Sequence, residues 1–533
     1  MSVITPQSNI KILQVSIGIN NANQITFSSK QTQYNYFNSL PKKVLENATY
    51  VRENGEICFN ANYDEVINYN YVMYQNDGYS DKWFYAFITN VRYISNGSVG
   101  ISIQTDYYQT WQFDITFKPS FVEREHVNDD TIGLHTIPEN VETGEYITQL
   151  LNDNDSITDM YYLSEYYIIV AVSETGLNLA VPSGYRQYNG VYSGLYYLVF
   201  KNAENVDKYI RAIQSQIISD IIYAIFIAPK NICNIPDADF ITPSGYDFSF
   251  AYYPYSSYQT DMGSISITKP RVIDRNYTPK NNKLLTYPYM YLLVSNNAGT
   301  FKDYHYELFA TSDCEFYLKG AIGVGCSIKL YPNKYNLHNA VTIGNETLSK
   351  LDSIDANKLP TCSWFNDSFT NYLTQNAVNI PLSMIGNIGE TVVGGVTGNG
   401  GSIASGLGGI ASSVASIYEH SLAPITAKGG VNQSDLLFAQ RNTFNYYKMS
   451  IKEEYAKVID GYFSMYGYKV NEVKVPNLTG RRNWNYIKTI GANIIGNIPQ
   501  MHLQEIKNMF DNGITLWHTT SNFLDYSANN DII

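Results

Sequence analysis

The sequence predicts a mainly β protein with a few helices, and three observations predict it. The chain holds 48 Tyr in 533 residues with only 16% charged residues, a composition suited to half-buried pleated faces. Apolar and polar residues alternate from Val99 to Gln104, the period of a strand with one buried face. Ser95, Asn96, Gly97 and Ser98, just before it, supply hairpin turn chemistry. With 44% hydrophobic residues the chain can bury several cores, which argues for more than one domain.

Taken in order, strand-like runs dominate from Ile10 to Glu123: NIKILQVSIGI, QITFSS, ATYVRENGEICFNA, YVMYQND and KWFYAFITNVRYISNGSVGISIQTDYYQTWQFDITF. They read as an antiparallel β domain ending near Val127, where a polar, loop-like run begins. Between Tyr146 and Arg275, EYYIIVAVSE and GLYYLVF read as strands, and a helix is expected from Ala203 to Ala224. Its Val206, Tyr209, Ile210, Ile213, Ile217 and Ile221 fall at helical spacing. Asp207, Lys208, Arg211 and Asp220 punctuate it, so it is a core-packing helix rather than a membrane helix. DFSFAYYPYSSYQT, crowded with Tyr and Pro, suits an exposed loop or an edge region. Strands return from Lys283 to Tyr331, and a short helix is expected from Ser363 to Gln375. Later, NTFNYYKMSIK reads as a strand leading to a helix through Tyr455, Val458, Ile459, Tyr462 and Phe463. A final helix is expected from Gln500 to Phe510, stopped by Asn512 and Gly513. No internal repeat is visible.

The stretch Asn376 to Tyr418 differs from everything around it. It carries one charge, Glu390, among Gly, Ser, Ala, Asn and aliphatic residues. Its apolar positions form two groups: Ile380, Leu382, Met384, Ile385, Ile388, Val392, Val393 and Val396, then Ile403, Leu407, Ile410, Val414 and Ile417. Thr397, Gly398, Asn399, Gly400 and Gly401 separate them. Each group is shorter than the roughly 20 apolar residues of a standard membrane span. Two readings stand. One is a loop, or a segment packed closely against neighbours where Gly permits near backbone approach. The other is a hairpin that enters a bilayer when several copies act together, with Glu390 facing a wet lumen. In lipid, Gly394, Gly398, Ala404, Gly408 and Ala411 would allow close helix contact. Glu390 within the stretch, and Glu419 with His420 at its end, make entry into lipid acid-sensitive, because low pH neutralises the carboxylates.

Several function classes are disfavoured. The net charge is -12, and no basic run interleaved with aromatics offers a nucleic-acid-binding face. An acidic wall is nevertheless what a DNA conduit needs, since like charge keeps phosphates from sticking. The five cysteines, Cys58, Cys233, Cys314, Cys326 and Cys362, are odd in number and widely spaced, which gives neither a disulfide framework nor a zinc site. His126, His135, His305, His338, His420, His502 and His518 lack metal-ligand spacing and are expected to be structural or exposed. No phosphate-cradling Gly-rich loop and no catalytic constellation is present, so no cofactor and no enzyme activity are expected. The opening MSVITPQSNIKIL lacks a basic region followed by an apolar core, so no secretory signal is expected.

Longer strings carry a family resemblance. At QYNYFNS (Gln33 to Ser39), YVMYQN (Tyr71 to Asn76), KWFYAFIT (Lys82 to Thr89) and DYYQTWQFDITFKPSFVEREHV (Asp106 to Val127) the chain resembles the tail knob proteins of small phi-29-like podoviruses. The likeness recurs in MYGYKVNEVKVPNLTGRRNWNYIKT (Met465 to Thr489) and FDNGITLWHT (Phe510 to Thr519). It is good at both ends of the sequence, fair from Lys283 to Gln375, and weak from Thr131 to Asn281.

The resemblance implies a homohexameric tube of barrel-like β domains at the tail tip, surrounding a channel for viral DNA. It implies residues 1–130 as an N-terminal β tube domain, 131–281 as an outer knob domain and 282–375 as a second tube region. Residues 376–430 would be a long apolar loop, and 431–533 an α/β region completing the tube. In the family the loops plug the channel, then leave it and form a pore in the host cytoplasmic membrane for genome release; the loop here is somewhat shorter than in larger relatives. Partners would be further copies of the chain, other tail proteins of the lower collar and tube, and that membrane. The protein would be made in the host cytoplasm and act at the tail tip without catalysis. A competing reading is an adhesion protein whose exposed aromatic side chains in 131–281 hold cell-wall glycans, against ordinary strand packing of those aromatics. A third is a wall hydrolase. Trp484 and Trp517 are expected to be structural.

Overall fold

Alternating apolar positions build the first sheet of the computed structural model, which describes residues 8–45, 48, 55–76, 82–151, 166–181, 187–188, 191–192, 194–216, 221–233, 235–253, 260–296, 299–320, 328–336, 340–343, 346–356, 361–363 and 444–533. The described chain falls into two compact units. One combines residues up to Gly144 with Tyr277–Leu284 and Glu453–Ile533; the other combines Glu145–Asn276 with Leu285–Lys452.

In the first unit a six-stranded antiparallel sheet runs in the order Lys42–Leu45, Ser8–Leu13, Tyr71–Asn76, Phe84–Ser95, Ser98–Thr105, Glu56–Asn60. Side chains alternate between its faces, and both faces are covered. Ile10, Ile12, Val72, Val99 and Ile101 enter one core, while Leu13, Tyr71, Met73, Tyr85 and Phe87 enter another. The second core also receives Phe37, whose ring lies on Tyr71 at 5.4 Å with 9° between planes. Phe37 belongs to the helix Lys30–Ser39, which Ser29 caps by accepting from the backbone N–H of Thr32.

The same core holds Trp484 and Trp517, 1% and 0% exposed, with ring centroids 5.0 Å apart. Both stand on a five-stranded sheet ordered Asn23–Ile25, Ile514–Trp517, Trp484–Ile490, Ser120–Glu125, Tyr468–Lys474. Asn23–Ile25 pairs with Ile514–Trp517 in parallel, so residues near the two ends of the sequence share one sheet. The helix Gln500–Asn512 closes this region with Leu503, Ile506, Met509 and Phe510, and Gly513, at φ 93, terminates it.

The helix Glu453–Tyr466 is tied down by a single buried carboxylate. Asp460 accepts from Tyr277 Oη (2.7 Å), the backbone N–H of Lys280 (2.7 Å) and that of Asn281 (3.0 Å), and from Asn281 Nδ2 (2.7 Å). A carboxylate satisfied this fully tolerates burial, and it clips the excursion Tyr277–Leu284 to the helix.

The second unit contains a five-stranded sheet ordered Ala251–Tyr252, Tyr196–Phe200, Tyr166–Val172, Ile222–Pro229, Thr361–Ser363. Val206, Tyr209, Ile210 and Ile213 of the helix Ala203–Ser215 pack on it with Ile168, Val170, Leu198 and Phe200. It also contains two four-stranded sheets, Tyr146–Leu150, Asn445–Ile451, Met290–Ser295, Phe301–Tyr304, and Thr260–Thr268, Asp313–Gly320, Ile328–Pro332, Ile354–Asp355, and two two-stranded ones.

Several local expectations change. The helix from Ala203 stops at Ser215, and Ile222–Pro229 is a strand paired on both sides, because IYAIFIAP is a continuous apolar run that a sheet interior accepts better than a one-sided helix. Ser363 is in a strand rather than opening a helix, and residues 364–375 lie outside the described residues. Within DFSFAYYPYSSYQT, Phe248, Phe250, Tyr252 and Tyr253 are buried; Ala251–Tyr252 is an edge strand of the sheet. Tyr107–Trp111 is a helix inside a run that reads as a strand, and Lys30–Ser39 is a helix lying between two such runs.

Candidate functional site

The charge-poor stretch is the strongest functional signal of the sequence. Its apolar positions from Ile380 to Ile417, and Glu390, lie outside the described residues, which stop at Ser363 and resume at Phe444. What is described is how the chain is held on either side of it, and both holds belong to the second unit.

On the entering side, Thr361–Ser363 pairs antiparallel with Ile222–Pro229: Thr361 faces Phe226, Cys362 faces Ile225 and Ser363 faces Ala224. Among the described residues it is the edge strand of its sheet, so one side of its backbone has no partner strand there. On the leaving side, Asn445–Ile451 is an interior strand. It pairs with Met290–Ser295 through six residues and with Tyr146–Leu150 through five. Further bonds run from the Ile451 N–H to the Tyr289 carbonyl (3.1 Å) and from the Leu151 N–H to the Tyr446 carbonyl (2.9 Å).

Side chains reinforce the leaving strand. Phe444, Tyr446, Ser450 and Ile451 are buried, and Tyr446 packs its ring 5.9 Å from Phe316. Phe316 in turn belongs to an aromatic group with Tyr304 (5.0 Å) and Phe309 (5.5 Å), and Tyr335 lies 4.8 Å from Phe309. Lys448 is 8% exposed; its ammonium donates to the Val272 carbonyl at 2.7 Å. Burial lowers its pKa, and the neighbouring Asp274 carboxylate works against that shift.

Two titratable groups follow directly on the strand Phe301–Tyr304. Burial raises the Glu307 carboxyl, which accepts from the Tyr287 N–H at 3.1 Å. Burial lowers His305, whose imidazole stacks on Tyr287 at 3.9 Å with 11° between planes.

Other expected residues take structural places. His126 is buried: Nδ1 accepts from the Tyr486 N–H (2.8 Å), which leaves Nε2 to donate to the Ser464 carbonyl (3.1 Å). His502 accepts from Trp111 Nε1 at 2.8 Å, and His518 bridges Thr26 and Asn485. His338 and His420 lie outside the described residues. Cys58, Cys233 and Cys314 are free thiols, and burial pushes the Cys314 thiol up to about 12. Among the described residues no group of three or more His, Cys, Asp or Glu could hold a metal ion, and no helix is long and apolar enough to cross a membrane.

Comparison with known proteins agrees with the resemblance. Residues 253–531, just over half of the chain, match the family described as Bacillus phage phi29, tail knob protein gp9, C-terminal domain; residues 6–116 match the caudoviral major tail protein N-terminus. The tail knob protein gp9 of Bacillus phage phi29 is 28% identical, covering 98% of each chain, and that of Bacillus phage B103 is 26% identical, covering 95% of each. The solved structure of the bacteriophage C1 tail knob protein, gp12, superposes with a TM-score of 0.61 at 16% identity, over 99% of this chain and 100% of that one. At that identity it speaks for the mainly β fold alone. The chain belongs to the phi29 tail knob protein gp9 family.

Proposed function

We propose that the protein is a non-enzymatic component of a phage virion that assembles as a hexameric tube at the tail tip. The apolar loops plug its DNA channel, then leave it to open the host cytoplasmic membrane. The carrying observation is the stretch Asn376 to Tyr418, with a single charge, set between two strands of one unit. A segment flanked on both sides by strands of one unit can change environment while those strands stay paired. While plugged, the loops would bury their Ile, Val, Leu and Met side chains against one another, at roughly 25 cal/mol per Å² hidden from water. In lipid each would satisfy its backbone as helix or by pairing with neighbours. The proposed division into tube, knob and loop regions keeps the boundaries 1–130, 131–281, 282–375, 376–430 and 431–533. The tail proteins above it and the host membrane are its partners, and viral DNA passes through without binding.

Deleting Ile380 to Ile417 tests this. The shortened protein is expected to keep its assembly state by light scattering and to lose dye release from liposomes; undiminished release would remove the membrane role. Glu390→Gln sharpens it. Parent leakage should rise from pH 7.5 to pH 5, and the variant should show high leakage at both. The adhesion reading is not favoured, because Tyr209, Phe248, Phe250 and Tyr252 of the middle region are core residues.

A further inference from the structure

The first unit contains a cavity of about 300 Å³ that the tube-and-loop reading does not use. A helix and a strand supply its aromatic wall. Tyr462 and Tyr466, four residues apart on the helix Glu453–Tyr466, present neighbouring rings 5.2 Å apart, and Tyr486 of the strand Trp484–Ile490 meets Tyr466 edge-on at 5.1 Å. None of the three phenol hydroxyls has a hydrogen-bond partner among the described residues.

The floor is electrostatically unusual. Arg124 lies opposite Lys469 on one side and Lys488 on the other, which puts three cations in one row across three adjacent strands. Like charges directly opposite each other destabilise a sheet. Two of the three are compensated. Arg124 donates to Glu139 and to the Gly467 carbonyl and lies 4.9 Å from the Tyr462 ring, and Lys488 pairs with Glu123 at 2.9 Å. Glu139, with its side chain fully buried, is shared with Lys283, so it does not cancel a further charge. The Lys469 backbone N–H donates to Glu139 at 2.9 Å, but its ammonium, which lines the same cavity, is in no ion pair with a carboxylate among the described residues. In a chain of net charge -12, an uncompensated cation in a row of like charge implies that something else supplies the anion.

We propose that this cavity binds an anionic polyol: a sugar or sugar-like residue carrying one carboxylate or phosphate. The anion sits on Lys469, the hydroxyls exchange hydrogen bonds with the Tyr phenols, and the C–H face of the ring lies on the aromatic walls. A neutral sugar would leave Lys469 unmatched, and a flat apolar ligand would strand the phenols. The Tyr486 hydroxyl, pushed up to about 12 by burial, stays protonated as a donor. The source could be a free metabolite or a residue within an anionic polysaccharide; the chemistry is the same.

Isothermal titration of the full-length protein tests this with glucuronate, glucose 6-phosphate, glucose and polygalacturonate. Both anionic monosaccharides should bind at least about tenfold more tightly than glucose. Lys469→Gln should weaken them by about tenfold and Tyr466→Phe by about threefold. The melting temperature of Lys469→Gln without ligand should not fall, since it relieves a like-charge row. Tighter binding of polygalacturonate per residue than of glucuronate assigns the polymer as source; equal binding assigns the free sugar. No heat with either anionic monosaccharide, or equal binding by Lys469→Gln, overturns the proposal. So does dissociation of the assembled protein by Lys469→Gln, because Lys469 would then face another protein chain. None of these outcomes depends on membrane leakage.

Discussion

The two units treat their chain crossings differently. In the first, segments far apart in sequence are sewn together: Asn23–Ile25 lies beside Ile514–Trp517, Ser120–Glu125 lies between two late strands, and Asp460 clips Tyr277–Leu284. In the second, the charge-poor stretch is held on its entering side by a three-residue edge strand and on its leaving side by a seven-residue interior strand. The first unit is therefore built to be permanent. The second holds the two sides of the stretch unequally among the described residues, by a short edge strand and by a longer interior one.

The largest test falls on the sewn unit. Trp517→Ala removes a fully buried ring from a core that also contains Trp484, Phe37 and Tyr71, and should lower unfolding free energy by about 4 kcal/mol in urea denaturation. A loss under 1 kcal/mol would mean this core is not what closes the unit. Next come the two bracketing strands. Ile451→Ala, in the interior strand, should cost about 3 kcal/mol, whereas Cys362→Pro, on the edge strand, should cost about 1 kcal/mol. Equal costs would abolish the contrast.

The smallest effect is a pH dependence carried by two buried groups of the sewn unit. Burial pushes the Asp106 carboxyl up to about 6 and pulls His126 down to about 3. Asp106 takes up a proton in the folded state before it would in the unfolded chain, so its contribution to stability grows as pH falls from 7 to 5, by about 1 kcal/mol. His126 does the opposite: the unfolded chain binds its proton first, and about 2 kcal/mol is lost over the same interval. Their sum is a loss of about 1 kcal/mol, and Asp106→Asn should roughly double it by removing the opposing half. Denaturation curves at pH 7 and pH 5 read this directly; an unchanged difference would show that Asp106 is not the counterweight.

Strand content was legible because alternation and Tyr-rich runs survive in the final sheets, and the helix Gln500–Asn512 carries a clear apolar face with a glycine stop. Tyr107–Trp111 was hidden inside a strand-like run, although Asp106 with Gln109 three residues later is a capping signal; in the structure Asp106 accepts from the Gln109 N–H at 3.1 Å. Lys30–Ser39 was hidden because QTQYNYFNS has too weak an apolar stripe to show a helical period. The cavity at Lys469 was illegible for a different reason. Its walls come from residues 123–141 and 462–488, and only the bulged pairing of three strands aligns their charges.

The parallel pairing of Asn23 with Thr515 also sets a timetable. At a synthesis rate of about 5–20 residues per second, Asn23 leaves the ribosome on the order of a minute before its partner exists. During that interval the second core of the six-stranded sheet lacks Trp484 and Trp517, and Phe37 of the helix Lys30–Ser39 covers only part of it. The second unit, whose described segments span Glu145 to Lys452, has all its strands available earlier. The nascent chain thus completes the part that carries the apolar stretch while the part that will close over Trp517 is still waiting.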